Sequence, residues 1–384
     1  MKVVYVAPRF HTNQIPIIEG WKHRGDSVYF ISQYQGKTED YSVLTPVVLG
    51  YAPLSSFINK LYQKILQKDK ESANIEYFQT HYGFPAKRSL RKLLDQIKPD
   101  IMILRDRSIY NVRVYRLGHK MKIPCILYNQ TPLWESEKVK NDLLHRLIRK
   151  NSPLYRFTPV LGKKEGGTVR ENSFYIPFAM KTAVSIQDLE KKREKKSEKI
   201  RILCIGKFET RKNHLMLLEA FLTLYKEFSI ELYLVGEVST NHHRTYYKKV
   251  NEFICRHHLE ECVITKVNLS RTEVMAEYME ADLFILPSTK EFASISQLEA
   301  MSYALPVICS DENGTANYVE NGINGYLFKD NDQESLCRTI RLVLKDRDML
   351  RRMGQSSYEL VKRKYNAERY IEKILEIKAL IEIN

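Results

Sequence analysis

Short apolar runs alternate with longer stretches in which apolar residues recur every three or four positions, and this alternation continues along most of the 384 residues. Val3–Ala7, Val28–Ser32, Ile101–Leu104 and Cys125–Asn129 have the length and apolar continuity of buried strands. Ile15–Arg24, closing at Gly25, a basic segment within Tyr82–Ile97, and Tyr110–Met121 carry the helical period instead. Pro99-Asp100 and Pro124 mark the entries to two of the strands. Strands separated by helices predict a parallel, doubly wound α/β sheet. Right-handed crossovers then bring the loops after the strands to one edge.

The pattern restarts beyond Lys181–Lys199, a polar stretch dense in lysine and glutamate that reads as a linker or a solvated helix end. Ile202–Ile205, Glu231–Val235, Val263–Lys266, Leu283–Leu286, Val307–Cys309 and Tyr326–Phe328 are expected strands. Leu215–Glu227, Tyr246–His257 and Arg271–Glu280 are expected helices, and further helices run from Gln333 to Asn384. The length suits two α/β domains. No apolar run approaches the roughly 20 residues of a membrane span. MKVVYVAPRF reads as a first strand rather than a secretory signal. Cysteines 125, 204, 255, 262, 309 and 337 are scattered without a Cys-x-x-Cys pair, so buried reduced thiols are expected and a zinc site is not. The expected location is cytoplasmic.

Pro287–Met301 (PSTKEFASISQLEAM) carries the most chemistry. Glu291 falls in the loop after an apolar strand, and Glu299 falls more than one turn into a helix that Ser294 is placed to cap. A helix N-terminus at the carboxyl end of a parallel strand is a ready anion site. The flanking carboxylates accept hydrogen bonds from hydroxyls but repel an anion. A ligand with sugar at both ends and phosphate between them, a nucleotide-sugar, satisfies both conditions.

This stretch, followed by ALPVICSD (Ala304–Asp311) and NGINGYL (Asn321–Leu327), resembles the donor half of a GT-B glycosyltransferase of family 4. Ile202–Phe221 (ILCIGKFETRKNHLMLLEAF) resembles a second segment of that family, a strand and glycine, a basic residue, then lysine before an amphipathic helix. Together the similar segments cover roughly Ile200–Glu368. The resemblance implies two Rossmann-like domains facing a cleft, with residues 1–185 binding acceptor and residues 186–366 binding nucleotide-sugar. Residues 367–384 would form a helix crossing back to the first domain. It implies retaining, metal-independent transfer of a sugar of hexosyl type, with no cofactor, from a nucleotide diphosphate to a glycan acceptor. A lipid-linked acceptor in surface polysaccharide assembly is the expected setting. Lys207, Lys212 and Glu291 would be catalytic, and Gly206, Ser294, Ile295 and Glu299 would bind the donor. Glycine at 206 lets a ligand approach the backbone, and two ammonium groups with a helix N-terminus can offset diphosphate charge without a metal. On the acceptor side the implied residues are His11, Asn13, Arg105 and Gln130.

Several positions depart from the family pattern. Lys207 stands where arginine is usual and lacks its bidentate fork. Ala293 and Ser294 replace a Phe-Gly pair, with Phe292 one position earlier. The loop Arg9–Gln14 lacks the paired glycines many relatives carry, and His11 in it reads either as functional or as a satisfied loop histidine. Gln130 falls where a histidine is frequent, and an amide cannot exchange a proton near neutral pH. Asp330-Asn331-Asp332 spells a metal motif of a different glycosyltransferase fold, but Asp332 is placed to cap a helix. The doublets His242-His243 and His257-His258 suit no common metal geometry.

Charge adds a partner to consider. Residues 1–180 hold 29 Lys and Arg against 15 Asp and Glu, whereas residues 181–384 hold 32 against 31. No nucleic-acid fold motif accompanies the excess. Solubility accounts for it without a partner. Attraction to an anionic membrane face, worth about 1 kcal/mol per well-placed basic residue, accounts for it with one. Leu54–Leu66 places Leu54, Phe57, Ile58, Leu61, Ile65 and Leu66 on one helical face opposite Lys60 and Lys64, and Leu143–Phe157 mixes leucines with arginines. Such helices either lie on a membrane or turn their apolar face to a core. Two other functions remain open at this point: a nucleotide-binding module without catalysis, and a same-fold enzyme with a soluble acceptor.

Overall fold

A computed structural model describes all residues except 37–38, 67–79, 107, 137–153, 195–197 and 384. Arg107 and most of the basic stretch expected at Leu143–Phe157 lie outside the described residues. The chain divides into two compact units, Met1–Ala179 with Ala367–Asn384, and Met180–Asn366.

The first unit begins β1 (Lys2–Ala7), α1 (Ile15–His23), β2 (Ser27–Ser32), β3 (Val47–Val48), α2 (Pro53–Leu66), α3 (Lys87–Ile97), β4 (Ile101–Arg105), α4 (Ile109–Lys120) and β5 (Cys125–Tyr128). Short strands β6 (Trp134–Ser136), β7 (Arg156–Thr158), β8 (Gly167–Val169) and β9 (Ser173–Tyr175) follow. A seven-stranded parallel sheet has the order β3-β2-β1-β4-β5-β7-β9, and β6 pairs with β8 in an antiparallel ribbon. Because side chains alternate across a strand, Val3 and Tyr5 face one core layer while Val4 and Val6 face the other. Trp21 from α1 fills the first layer, and Leu90 and Leu94 from α3 fill the second.

The second unit contains α5 (Ile186–Glu194), β10 (Ile200–Ile205), α6 (His214–Leu224), β11 (Ile230–Gly236), α7 (Asn241–Arg256), β12 (Val263–Val267), α8 (Arg271–Glu280) and β13 (Leu283–Leu286). It continues with α9 (Ile295–Ser302), β14 (Val307–Ser310), β15 (Gly325–Phe328), α10 (Gln333–Leu344) and α11 (Arg347–Arg363). Its six-stranded parallel sheet has the order β12-β11-β10-β13-β14-β15. Leu217, Phe221, Leu232, Leu234 and Ile285 are buried in its main core. The last helix, α12 (Ala367–Ile383), belongs to the first unit, where Tyr370, Ile371, Ile374 and Ile377 form one apolar stripe in the core layer of Trp21. The α/β class read from the alternation is the observed one. The stretch read as a linker contains α5.

Of the apolar face expected over Leu54–Leu66, the described part does not turn to a core, and the side chains of residues 62–66 lie outside the described residues. Leu54 is 62% exposed, Phe57 65%, Ile58 42% and Leu61 50%, while Ser55 and Asn59 are buried. Hydrogen bonds set this rotation. Ala52 N donates to Phe84 O at 2.8 Å, and Ser55 Oγ accepts from Phe84 N at 3.1 Å, so the polar side of the first turn is clamped inward. Among the described residues no helix is long and apolar enough to cross a membrane.

Candidate functional site

In the second unit the strand order reverses between β10 and β13, and an open parallel sheet leaves a crevice beyond its carboxyl ends at such a point. The loop after β10 carries Gly206 to Asn213, and the loop after β13 carries Pro287 to Ser294. Thr289 N donates to Arg211 O at 2.8 Å, joining the two loops through their backbones.

Glu291 is buried between them. Its Oε2 accepts from Lys212 Nζ and from Arg211 Nη1, the latter at 2.8 Å. Arg211 Nε also meets Glu209 Oε1 at 2.7 Å. The Glu291 carbonyl accepts from Gly314 N at 2.8 Å, which ties in the loop after β14. Lys207 makes its ion pair with Glu237 Oε2, at 3.1 Å, rather than with Glu291, and half of its side chain is exposed. A Cβ on Gly206 would lie 3.1–3.3 Å from the Lys212 stem, so the glycine leaves room for that side chain. A Cβ on Gly236, at the end of β11, would meet the Gly206 oxygen at 1.9 Å. The approach of these two strand ends therefore excludes any larger residue at Gly236.

Ser294 caps α9, its hydroxyl accepting from Gln297 N at 3.3 Å. Its own amide points to Thr315 Oγ1 at 3.4 Å, so of the two amides expected to face phosphate, Ser294 is engaged within the fold. The extended backbone of the cap and its burial cause this, and the Ile295 amide, one residue on, starts the helix. Behind it, buried Gln297 accepts from Asn313 Nδ2 at 2.8 Å and from Thr315 Oγ1 at 3.0 Å, and donates to Thr315 O at 3.1 Å. This network fixes the first turn of α9 against the loop after β14.

Glu299 is five residues into α9. Its Oε1 pairs with Arg271, the first residue of α8, and its Oε2 accepts from Tyr278 Oη at 3.0 Å. Burial, and then the Glu299 charge, hold the Tyr278 phenol well above its ordinary range, so it remains a donor. Arg211, Arg271 and Tyr278 were not anticipated from sequence. Arg211 had a signal in its place beside Lys212, whereas Arg271 and Tyr278 reach Glu299 from a separate helix.

His214 lies next to this cluster in the chain. It is fully buried against Phe208, with ring centroids 4.8 Å apart, and neither ring nitrogen has a partner. Burial, and then the Lys212 charge, push its pKa down to about 3, so it stays neutral.

In the first unit the strand order reverses between β1 and β4. There a cavity of about 350 Å³ is lined by His11, Asn13, Arg105 and Gln130 over a floor of Tyr5 and Phe157. Arg105 Nη2 donates to Gln130 Oε1 at 3.2 Å, Gln130 Nε2 donates to Tyr128 Oη at 3.1 Å, and the guanidinium sits 4.8 Å from the Tyr128 ring centroid. Burial, then Arg9 and Arg105, lower the His11 pKa to about 4. Asn13 Oδ1 is buried without a hydrogen-bond partner. The four side chains thus reach one cavity from the loop after β1, the end of β4 and the loop after β5.

Two parallel α/β sheets of this kind match the GT-B class of fold. Residues 185–360 match the family described as glycosyl transferases group 1. N-acetyl-alpha-D-glucosaminyl L-malate synthase of Bacillus anthracis is 27% identical over 176 residues, 46% of this chain and 44% of that one. The UDP-Gal:alpha-D-GlcNAc-diphosphoundecaprenol alpha-1,3-galactosyltransferase of Escherichia coli is 31% identical over 97 residues, 25% of each chain. The match therefore spans less than half the length of these curated relatives. Anabaena Alr3699/HepE, solved in complex with UDP-glucose, superposes with a TM-score of 0.66 at 15% identity, covering 98% of each chain. At that identity the likeness establishes the fold.

Proposed function

We propose that this protein is a retaining, metal-independent glycosyltransferase of family 4 that moves one sugar from a nucleotide diphosphate to a hydroxyl of a lipid-linked glycan in surface polysaccharide assembly. The observation that carries the reading is the buried Glu291–Lys212–Arg211 cluster at the switch point of a sheet that lies within the matched segment. A diphosphate entering there meets Lys212, Arg211 and the first turn of α9, and the charge gathering on the departing phosphate is stabilised by the same groups. Glu291 then exchanges cation contacts for a sugar hydroxyl, and Glu299 accepts from the ribose diol. The first unit takes the acceptor in its cavity. Gln130 there binds hydroxyls without trading protons, which supports front-face attack. In that step the new glycosidic bond forms as the bond to the diphosphate breaks, and the acceptor proton passes to the leaving phosphate oxygen. The basic first unit makes peripheral contact with an anionic membrane.

Asp330 and Asp332 are engaged in structure, the first accepting from Ser310 Oγ at 2.7 Å and the second capping α10 through Ser335 N at 2.8 Å. This supports a site that works without them. The test is thermal-shift screening with UDP, GDP, ADP, CMP and dTDP, with and without magnesium, followed by donor hydrolysis. Stabilisation by one nucleoside diphosphate in the absence of magnesium is expected. No stabilisation by any of them, or stabilisation only with the metal, would overturn the reading.

A further inference from the structure

We infer that the cavity at the β1/β4 edge takes a sugar that carries a carboxylate, of the uronic-acid class, rather than a neutral one. The inference rests on the acceptor reading above and deepens it by naming the acceptor's chemistry. Arg105 is the one arginine in the lining, which contains no lysine, aspartate or glutamate. His11 adds no charge near neutral pH, because burial, then Arg9 and Arg105, hold its pKa down at about 4. Two acids stand close by but outside the lining. Glu39 pairs with Arg9 at 3.0 Å, and Asp106, the residue after Arg105, is buried.

The partners of the Arg105 guanidinium are neutral. Gln130 Oε1 accepts from Nη2 at 3.2 Å, and the Tyr128 side chain takes a further hydrogen bond while its ring lies 4.8 Å away. Gln130 is itself held by Tyr128 Oη at 3.1 Å. The cation is therefore oriented, but among the described residues its charge is not matched. A half-buried guanidinium in a concave site with no carboxylate is costly, and a ligand anion removes that cost. Its planar fork has donors to spare for a carboxylate.

The rest of the lining fits the sugar that would carry this group. Ile103 and Phe157 offer apolar surface to ring C–H groups, while His11, Asn13 and Gln14 bring neutral polar groups for hydroxyls. The volume of about 350 Å³ is near the lower end for small-ligand sites and suits a single ring. One cation also matches one negative charge. A phosphate monoester carries roughly two near pH 7, and the second would enter the cavity without a counter-charge.

The test titrates the full chain by calorimetry at low salt with methyl glucuronide and methyl glucoside, which differ only in a carboxylate against a hydroxymethyl group. The glucuronide is expected to bind at least roughly tenfold more tightly. Arg105→Gln should bring the two affinities within about twofold of each other. Arg105→Lys, which keeps the charge without the fork, should retain a weaker preference for the glucuronide. The inference fails if the wild type binds the two glycosides alike or binds neither, a result that needs no variant to fold. It also fails if the preference survives Arg105→Gln, or if glucose 6-phosphate binds the wild type more tightly than the glucuronide. Absence of any nucleotide-induced thermal shift in the wild type, with the glucuronide preference intact, would sink the transferase reading alone.

Discussion

The two switch points solve the same topological problem with opposite electrostatics. At the β10/β13 edge the charges are already matched. Glu291 is held by Lys212 and Arg211, and Glu299 by Arg271 and Tyr278. At the β1/β4 edge the lining is a neutral imidazole, amides and aromatic rings around one guanidinium, with a buried Asn13 oxygen left without a partner. Under the proposed function the first arrangement would bind by exchange. A phosphate would replace a carboxylate as the partner of a cation, so affinity would depend on the difference between two strong interactions. The second would bind by filling, because it offers a cavity of about 350 Å³ and an Asn13 oxygen without a partner. A charged, uniform ligand portion suits the former, and a variable carbohydrate suits the latter.

The sharpest way to break this contrast is to remove a charge at the β10/β13 edge. Lys212→Ala and Glu299→Ala are each expected to abolish the nucleotide-induced rise in melting temperature, measured against each variant's own ligand-free value. Transfer should slow by at least about 100-fold. Gly236→Ala should reach the same edge through packing, since its Cβ would press on the Gly206 oxygen. A loss of roughly 1–3 kcal/mol in urea unfolding is expected. Arg105→Ala should instead raise the acceptor KM about tenfold while leaving the nucleotide shift unchanged, which separates the two edges.

Acid titration probes both edges together. The folded pKa of His11 is about 4 and that of His214 about 3, both below the ordinary 6.5. Between those values and 6.5 the unfolded chain binds protons that the folded chain refuses, so stability rises with pH there and is lost as pH falls from 6.5. The slope reaches about 1.4 kcal/mol per pH unit for each group. His11→Asn should remove one share, visible as a flatter plot of unfolding free energy against pH. The smallest effect is expected from Asp330→Ala, which should leave the nucleotide shift intact in the same thermal assay.

Much of the architecture was legible because buried parallel strands are continuous apolar runs. Leu283–Leu286 and Arg271–Glu280 fall where the pattern placed them, and Ser294 caps α9. The short strands β7 and β9 were missed. β7 opens with a buried arginine, and β9 has a serine, a phenylalanine and a tyrosine where a plain apolar run was sought. Periodicity also gave α2 an apolar face without saying which way it turned, because a backbone clamp from Phe84 decides that. Within the candidate site, the carboxylates and Lys212 could be picked out, but Arg211, Arg271 and the pairing of Lys212 with Glu291 could not. Glu291 and Arg211 are 80 positions apart, as are no two residues that a local pattern can join.

The return of α12 to the first unit has a consequence for how the protein is made. Tyr370, Ile371, Ile374 and Ile377 complete a core whose other buried members lie among the first 179 residues. On the ribosome, the second unit has its whole sequence available while the first still lacks its closing helix. The portion synthesised first is therefore the portion whose core is finished last, and it must wait through translation with the layer around Trp21 incomplete.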